Sequence, residues 1–462
     1  MDLAKRLEHV TVVGAAGKMG SGIALLLAVE MAKRKLAAGP TGAAFRLNLV
    51  DTNDEALLAL ADYIRSQAVK AAEKSIVQIR SLYAGREDLV ENGEIIQEFA
   101  ADVGRRLSLT TDVTTARNSH LVFEAILENE DIKLGVYHKL KQLCSPETFF
   151  LTNTSSIPIR VLDDKAGLGG RIIGYHFYNP PAVQKLVELI TSGQTRPDLV
   201  ELARELGKVL RKTLIESNDI AGFIGNGHFL RDGLHGLGEV ARLQGEGMSF
   251  VQAVYSVNRV TQDFLVRPMG IFQLMDYVGI DVFQCILQVM SRFLPGEGLE
   301  SELVPALLAK GVKGGQQSTG AQKDGMLKYG KGAVAGVYDL DSGAYVPLQA
   351  DQGGWTAEVD ARLGQPPAGW MPWKKWVALP NRDATLMPYL ASLWGNESLG
   401  CAIARSYLLR SAQIAQKLVA DGVARRAEDV NGVLLNGFYH AYGPINEVTR
   451  KHLAGGSGKV TP

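Results

Sequence analysis

The segment Val10-Thr11-Val12-Val13-Gly14-Ala15-Ala16-Gly17-Lys18-Met19-Gly20-Ser21-Gly22 constrains the fold more than any other part of the chain. A short apolar run with the character of a buried strand ends on glycine. From Ser21 to Lys35 the sequence then becomes rich in Ala, Leu and Met, as a helix is. Glycines at such a junction permit a tight turn and let the backbone approach a pyrophosphate. The unpaired N–H groups and positive end of the following helix stabilise that anion. The spacing is G-x-x-G-x-x-G, so the turn is one residue longer than the common G-x-G-x-x-G form, or has Ala15 in place of a glycine. An isolated glycine motif is equally an ordinary strand-to-helix turn. Its position, after the first strand and opening a helix, is the one the anion-binding mechanism requires. Gly14, Gly17, Lys18, Met19 and Gly20 are therefore candidate dinucleotide contacts.

The same mechanism asks for an acidic residue at the end of the second strand, to hydrogen-bond the adenosine ribose. Phe45, Leu47 and Leu49 alternate with Arg46 and Asn48 and lead to Asp51, which is 37 residues after Gly14. The usual distance is about 20. The excess is assigned to an insertion around Lys33 to Ala43, where Gly39-Pro40 and Gly42 would end the helix. A carboxylate at Asp51 repels a 2′-phosphate, and Thr52-Asn53 offer no arginine to hold one, so NAD is expected rather than NADP.

Further strand-like runs at Leu121–Phe123, Phe149–Leu151, Ile172-Ile173 and Val187–Ile190 are mostly separated by helical stretches. This rhythm predicts an α/β fold, a doubly wound, mostly parallel sheet of Rossmann type. Near Ser217 the strand-like runs stop. Helical patterns follow at Phe229–Leu243, Phe250–Phe264, Ile280–Phe293 and Leu399–Ala420, with a Gly-rich polar tract from Gly311 to Gly336 and a Pro/Gly/Trp-rich connector from Gly364 to Trp376. An all-α C-terminal part is expected. The helical pairs within Ile220–Gly279 and Gly400–Thr449 resemble each other loosely, as a weak internal repeat would.

Gly174-Tyr175-His176-Phe177-Tyr178-Asn179-Pro180-Pro181 precedes Lys185-Leu186-Val187-Glu188-Leu189-Ile190. A histidine among aromatics is more often a core residue than a catalyst, and a lone glutamate is more often a surface residue. Beside a nucleotide turn, the two suggest an imidazole oriented by a carboxylate, the arrangement of a general base.

The chain resembles the L-3-hydroxyacyl-CoA dehydrogenases from about Val10 to Gly279. The motifs are Met19-Gly20-Ser21-Gly22-Ile23-Ala24, Val122-Phe123-Glu124-Ala125-Ile126, Asn153-Thr154-Ser155-Ser156, His176-Phe177-Tyr178-Asn179-Pro180, Gly222-Phe223-Ile224-Gly225-Asn226, and the run from Pro268-Met269-Gly270 to Gly279. The resemblance implies NAD-dependent, reversible oxidation of a (S)-3-hydroxyacyl-CoA to the 3-oxoacyl-CoA, within fatty-acid β-oxidation or related acyl-CoA metabolism. It implies His176 as catalytic base, Glu188 as its partner, Ser155 and Asn226 as substrate-contacting catalytic residues, Asn179 as a neighbouring substrate-binding residue and Glu124 as a residue on the cofactor side. Arg65, Lys70 and Lys74 are candidates for the CoA phosphates.

The chain continues for roughly a hundred residues past the end of the short members. The resemblance to the long form implies residues 1–216 as the NAD-binding domain, 217–345 as the first helical domain, 346–385 as a linker and 386–462 as a second, degenerate helical domain. That copy would make the chain a monomer with an internal pseudo-dimer, the alternative being a homodimer through another surface. Association with other β-oxidation enzymes fits the family.

Composition narrows the remaining readings. Lys+Arg and Asp+Glu are both 49, so the formal net charge is zero, and nothing marks a nucleic-acid or anionic-membrane partner. Three cysteines without a C-x-x-C, and eight histidines without a ligand-like spacing, argue against a disulfide framework or a metal site. The N-terminus lacks a signal-peptide pattern and no apolar run approaches a membrane span, so a cytoplasmic protein is expected. A Ser155–His176–Glu188 hydrolase has the right residue types but no nucleophile elbow and no need for the glycine turn. A non-catalytic nucleotide binder would not need the His–Glu pair. A relative acting on a non-CoA hydroxy acid shares the hydride chemistry.

Overall fold

A computed structural model describes residues 2–39, 42–317, 320–348 and 354–454. Pro40, placed above at the end of the first long helix, lies outside them. The chain divides into two compact units, Met1–Ile220 and Ala221–Pro462.

The first unit is built on eight strands: β1 (His9–Val13), β2 (Arg46–Val50), β3 (Leu107–Thr110), β4 (Leu121–Glu124), β5 (Phe149–Thr152), β6 (Ile172–Phe177), β7 (Leu186–Thr191) and β8 (Thr213–Asn218). They lie in the order β3-β2-β1-β4-β5-β6-β7-β8. All neighbours pair in parallel except β6 and β7, which are antiparallel. Alternate residues explain why these runs are apolar throughout. Val10, Val12, Leu47, Leu49, Leu121, Phe123, Phe149 and Leu151 bury into one core, while Val13, Val50, Val122 and Phe150 are buried on the other face. A parallel sheet with helices on both sides has no solvent face to leave polar.

β3 and β8 fall outside the sequence-based expectation. Both are edge strands, β3 has four residues, and Thr213-Leu-Ile-Glu-Ser-Asn reads as half polar. A domain cut at 216/217 would pass through β8, whereas the division after Ile220 keeps that strand whole. The sheet order reverses between β1, β2 and β3 on one side and β4 onwards on the other. β1 and β4 therefore open a crevice at their carboxyl ends, where ligands bind in such sheets.

The second unit is mainly helical. Gly225–Gly245, Phe250–Arg259, Ile271–Val278 and Ile280–Phe293 form its first half. Leu399–Ala420, Ala427–Gly437 and Glu447–Ala454 end it. Two expectations are corrected here. The region downstream of Ser217 is not free of strands, because Leu327–Gly330, Ala333–Asp339 and Ala344–Pro347 form an antiparallel three-stranded sheet. The supposed linker 346–385 is, from residue 354 onward, packed into the core. It holds the helix Trp355–Leu363, and Val359, Leu363 and Trp376 are completely buried. The sheet is tied down by Asp276, whose buried carboxylate accepts from the Met326 and Leu327 N–H groups at 2.7 and 2.9 Å and from the Tyr329 hydroxyl. Among the described residues no single helix is long and apolar enough to cross a membrane.

Candidate active site

The glycine turn lies at the carboxyl end of β1, beside β4. Gly14 has φ +78°, and a Cβ there would stand 2.7 Å from the Ala125 carbonyl. Only glycine lets the first turn lie this close to the neighbouring strand. A Cβ on Gly20 would collide with the Gly14 carbonyl. The N–H groups of Gly14 and Ala15 donate to the Val50 carbonyl, and helix Lys18–Ala38 opens at Gly17 without a side-chain cap. The helix starts three residues earlier and runs three residues further than expected, so helical length accounts for part of the spacing to Asp51. Lys35 Nζ holds the remaining loop through the carbonyls of Gly39 and Gly42. Asp51 follows β2 directly and accepts from the Ala16 N–H at 2.9 Å through one oxygen and from Thr52 N–H at 2.8 Å through the other. It latches the turn to the end of β2.

His176 and Glu188 meet through strand register. The antiparallel pairing of β6 and β7 sets the two residues directly opposite each other, so their side chains share a face. His176 Nδ1 stands 3.2 Å from Glu188 Oε2. The same oxygen accepts the Tyr178 hydroxyl at 2.7 Å. Glu188 is completely buried, while the His176 side chain keeps 10% of its surface exposed. Burial first, and then the Glu188 carboxylate, hold the Tyr178 phenol well above its ordinary range, so it remains a hydrogen-bond donor to Glu188 at any working pH. Tyr178 was legible as part of the motif but its role was not. Asn153, the first residue of the Asn-Thr-Ser-Ser motif, accepts the Phe177 N–H at 2.8 Å and fixes that loop beside the histidine.

Glu124 sits at the end of β4. It is completely buried, and its oxygens are filled from within the protein. One accepts from Lys133 Nζ at 2.6 Å and Ile126 N–H at 2.9 Å, the other from the Tyr137 and Thr152 hydroxyls at 3.0 and 2.7 Å. Such a carboxylate is held from within the protein, at the end of β4.

The residue missed is Glu128, one turn-length further on. Its Oε1 accepts the backbone N–H groups of Ser155 and Ser156 at 2.9 and 2.8 Å and the hydroxyls of Thr154 and Ser156 at 2.7 and 2.8 Å. Burial opposes its charge, but Lys133 and these donors outweigh it and hold the carboxyl below its usual range. Lys133, itself buried, lies between Glu124 and Glu128. The E-x-x-x-E spacing in Glu124-Ala-Ile-Leu-Glu128 was the available signal. Ser156 is buried and Ser155 partly exposed.

Asn179 is partly exposed on the loop after β6, and Arg65, Lys70 and Lys74 are exposed on helix Asp54–Lys74. Asn226 belongs to the other unit, in the first turn of helix Gly225–Gly245. Among the described residues no cluster of metal-ligating side chains occurs.

The sequence matches the 3-hydroxyacyl-CoA dehydrogenase NAD-binding domain over residues 9–220 and the 3-hydroxyacyl-CoA dehydrogenase C-terminal domain over residues 222–324. A relative from Bacillus subtilis described as a probable 3-hydroxybutyryl-CoA dehydrogenase is 31% identical over 314 residues, covering 67% of this chain and 93% of its own. The mitochondrial hydroxyacyl-coenzyme A dehydrogenase of Sus scrofa is 30% identical, covering 61% of this chain and 79% of its own. The crystal structure of 3-hydroxybutyryl-CoA dehydrogenase from Escherichia coli superposes with a TM-score of 0.62 at 23% identity, over 95% of this chain and 90% of that one. That likeness extends the shared fold to nearly the full length.

Proposed function

We infer the reaction from the premise that this chain belongs to the 3-hydroxyacyl-CoA dehydrogenase family. It is an NAD-dependent oxidoreductase acting on the CH–OH group of a 3-hydroxyacyl-CoA. The residues fit the dinucleotide. The turn at Gly14 and Gly20 has no room for a Cβ, and Asp51, at the end of β2 and bonded to the Ala16 N–H, is assigned to the ribose hydroxyls. The nicotinamide, when bound, supplies the acceptor for the hydride from C3.

The chain's own part in this reading is proton transfer and orientation. With Nδ1 committed to Glu188, Nε2 of His176 takes the hydroxyl proton as the C3–H bond breaks, and returns it in the reverse direction. Glu188 orients the ring and stabilises the imidazolium that forms, while Tyr178 holds Glu188 in place. Ser155 and Asn179 bind the substrate's polar groups, and Asn226 is assigned its substrate contact on motif alone. Gly17, Lys18 and Met19 form the opening of the phosphate-binding helix. Arg65, Lys70 and Lys74 are assigned to the CoA phosphates. The observation that carries the reading is the His176–Glu188 register pair in the same sheet as a glycine turn that leaves no room for a Cβ.

The purified protein is expected to oxidise (S)-3-hydroxybutyryl-CoA with NAD, seen as growth of the NADH absorbance band, and to do so far better than with NADP. Release of CoA without nicotinamide turnover would instead favour the Ser155 hydrolase.

Residues 386–462 are proposed as a degenerate second copy of 217–345. In the first half, Gly270 opens a helix with its Cα against Asn258, twelve residues earlier, whose Oδ1 accepts the Gln273 N–H at 3.1 Å. In the second, Gly443 packs against Asn431, again twelve residues earlier, whose Oδ1 accepts the Ile445 N–H at 3.1 Å. Helix Gly225–Gly245 and helix Leu399–Ala420 also pack on each other, with His228 Nε2 3.0 Å from the Ser411 hydroxyl. Such a copy takes the place a partner subunit would occupy, so a monomer is expected in analytical ultracentrifugation. A stable dimer would require another surface and count against the pseudo-dimer.

A further inference from the structure

Lys212 lies between helix Pro197–Val209 and β8. Its Nζ donates to the carbonyls of Pro181 and Gln184 at 2.5 and 2.7 Å and stands 5.9 Å from the centre of the Phe177 ring. Among the described residues no carboxylate pairs with it. Both carbonyls belong to the loop 178–185, which joins the strand carrying His176 to the strand carrying Glu188 and bears Asn179. The opposite side of that loop rests on the dinucleotide-binding helix. A Cβ on Gly22 would stand 2.8 Å from Pro181 Cδ, which means the proline ring sits on bare backbone there. The loop is held between an ammonium and the helix that opens at the glycine turn.

Holding it with a lysine is costly. Burial pushes the ammonium down to about 8. Because the folded-state value lies below the unfolded one, the penalty is fully present below about pH 8 and is relieved as pH rises toward 10.5. A partly buried cation with only carbonyl oxygens and a ring as partners is a weak contributor to stability at neutral pH. What it supplies is two donors aimed at two carbonyls of one loop.

We propose that Lys212 is a positioning residue that fixes the loop 178–185, and with it Asn179 and the spacing of His176 and Glu188, against the dinucleotide-binding helix. The inference deepens the dehydrogenase reading and rests on it for its kinetic consequence, though not for its structural one. Displacements of about 1 Å at a reacting centre can cost two orders of magnitude in rate.

The test compares wild type with Lys212→Met and Lys212→Arg at pH 7. In Lys212→Met, kcat for acetoacetyl-CoA with NADH is expected to fall about tenfold or more, while KM for NADH and Tm stay near wild type. Lys212→Arg, which keeps the charge and donors, should recover part of the loss. By hydrogen exchange and mass spectrometry, amides of the loop 178–185 in Lys212→Met should exchange faster, with β1 to β5 unchanged. Unaltered loop exchange overturns the proposal. So does a fall in kcat that tracks a lower Tm with faster exchange across the whole first unit, which would make Lys212 a general structural support. If wild type itself fails to turn over, the dehydrogenase reading fails, and loop exchange still decides the role of Lys212.

Discussion

His176→Ala is expected to lower kcat for 3-hydroxyacyl-CoA oxidation by about 10²–10⁴-fold, the range that loss of a general base costs. The imidazole is the one titratable ring opposite Glu188 in the β6–β7 register, and its Nδ1 is already engaged. Removing the ring takes away the proton acceptor and leaves the nucleotide turn, Asp51 and the Ser155 loop untouched. Dinucleotide affinity, measured by NADH fluorescence, should therefore stay within a few-fold of wild type while the turnover of bound substrate collapses. A variant that turned over at the wild-type rate would remove His176 from the mechanism. One that lost NADH binding in proportion would place the histidine in the cofactor site instead.

The second large effect is one of stability. Lys133→Met removes the cation between the buried carboxylate of Glu124 and the partly buried one of Glu128, leaving Glu124 with no counter-charge and taking one cation from Glu128. Breaking a buried pair by removing one partner costs about 3–5 kcal/mol, because the orphaned charge cannot be re-solvated. Burial alone would lower the lysine, yet Glu124 and Glu128 together hold it above its usual value, so the two charges depend on each other. Urea unfolding of the first unit should shift to markedly lower denaturant concentration in Lys133→Met. The double variant Glu124→Gln/Lys133→Met should regain much of the loss, since it no longer buries an unpaired charge. A single variant as stable as wild type would mean that water reaches Glu124 and that the pair is incidental. Because Glu128 organises the Ser155 loop, the variant is also expected to lose activity at temperatures where it remains folded.

What the sequence makes legible is local. The glycine turn and the strand before it lie within one short motif, and Asp51 and Glu188 were legible as strand positions, whereas the contacts of Asp51 with Ala16 and of Glu188 with His176 come from strand pairing. Edge strands β3 and β8 escape because one edge of such a strand is solvated and its apolar signal is diluted. The three-stranded sheet of the second unit escapes because its glycines read as loop, although Asp276, some fifty residues upstream, supplies the acceptors that order it. Glu128 escapes for the same reason: its partners, Thr154 to Ser156, are close only once β4 and β5 lie side by side. Glu124 shows the converse. Its position at the end of β4 was legible, but its burial against Lys133 and Tyr137 decides what it can touch.

The lone reversal of strand direction in the sheet carries an evolutionary consequence. Because side chains alternate faces along a strand, a one-residue slip of β7 against β6 would turn Glu188 away from His176 and set apolar Val187 or Leu189 opposite it. Insertions and deletions in the hairpin connection are thus filtered by the ladder itself. Changes of length in that connection are tolerable only where the pairing frame survives, whereas changes of side-chain identity leave the frame as it is.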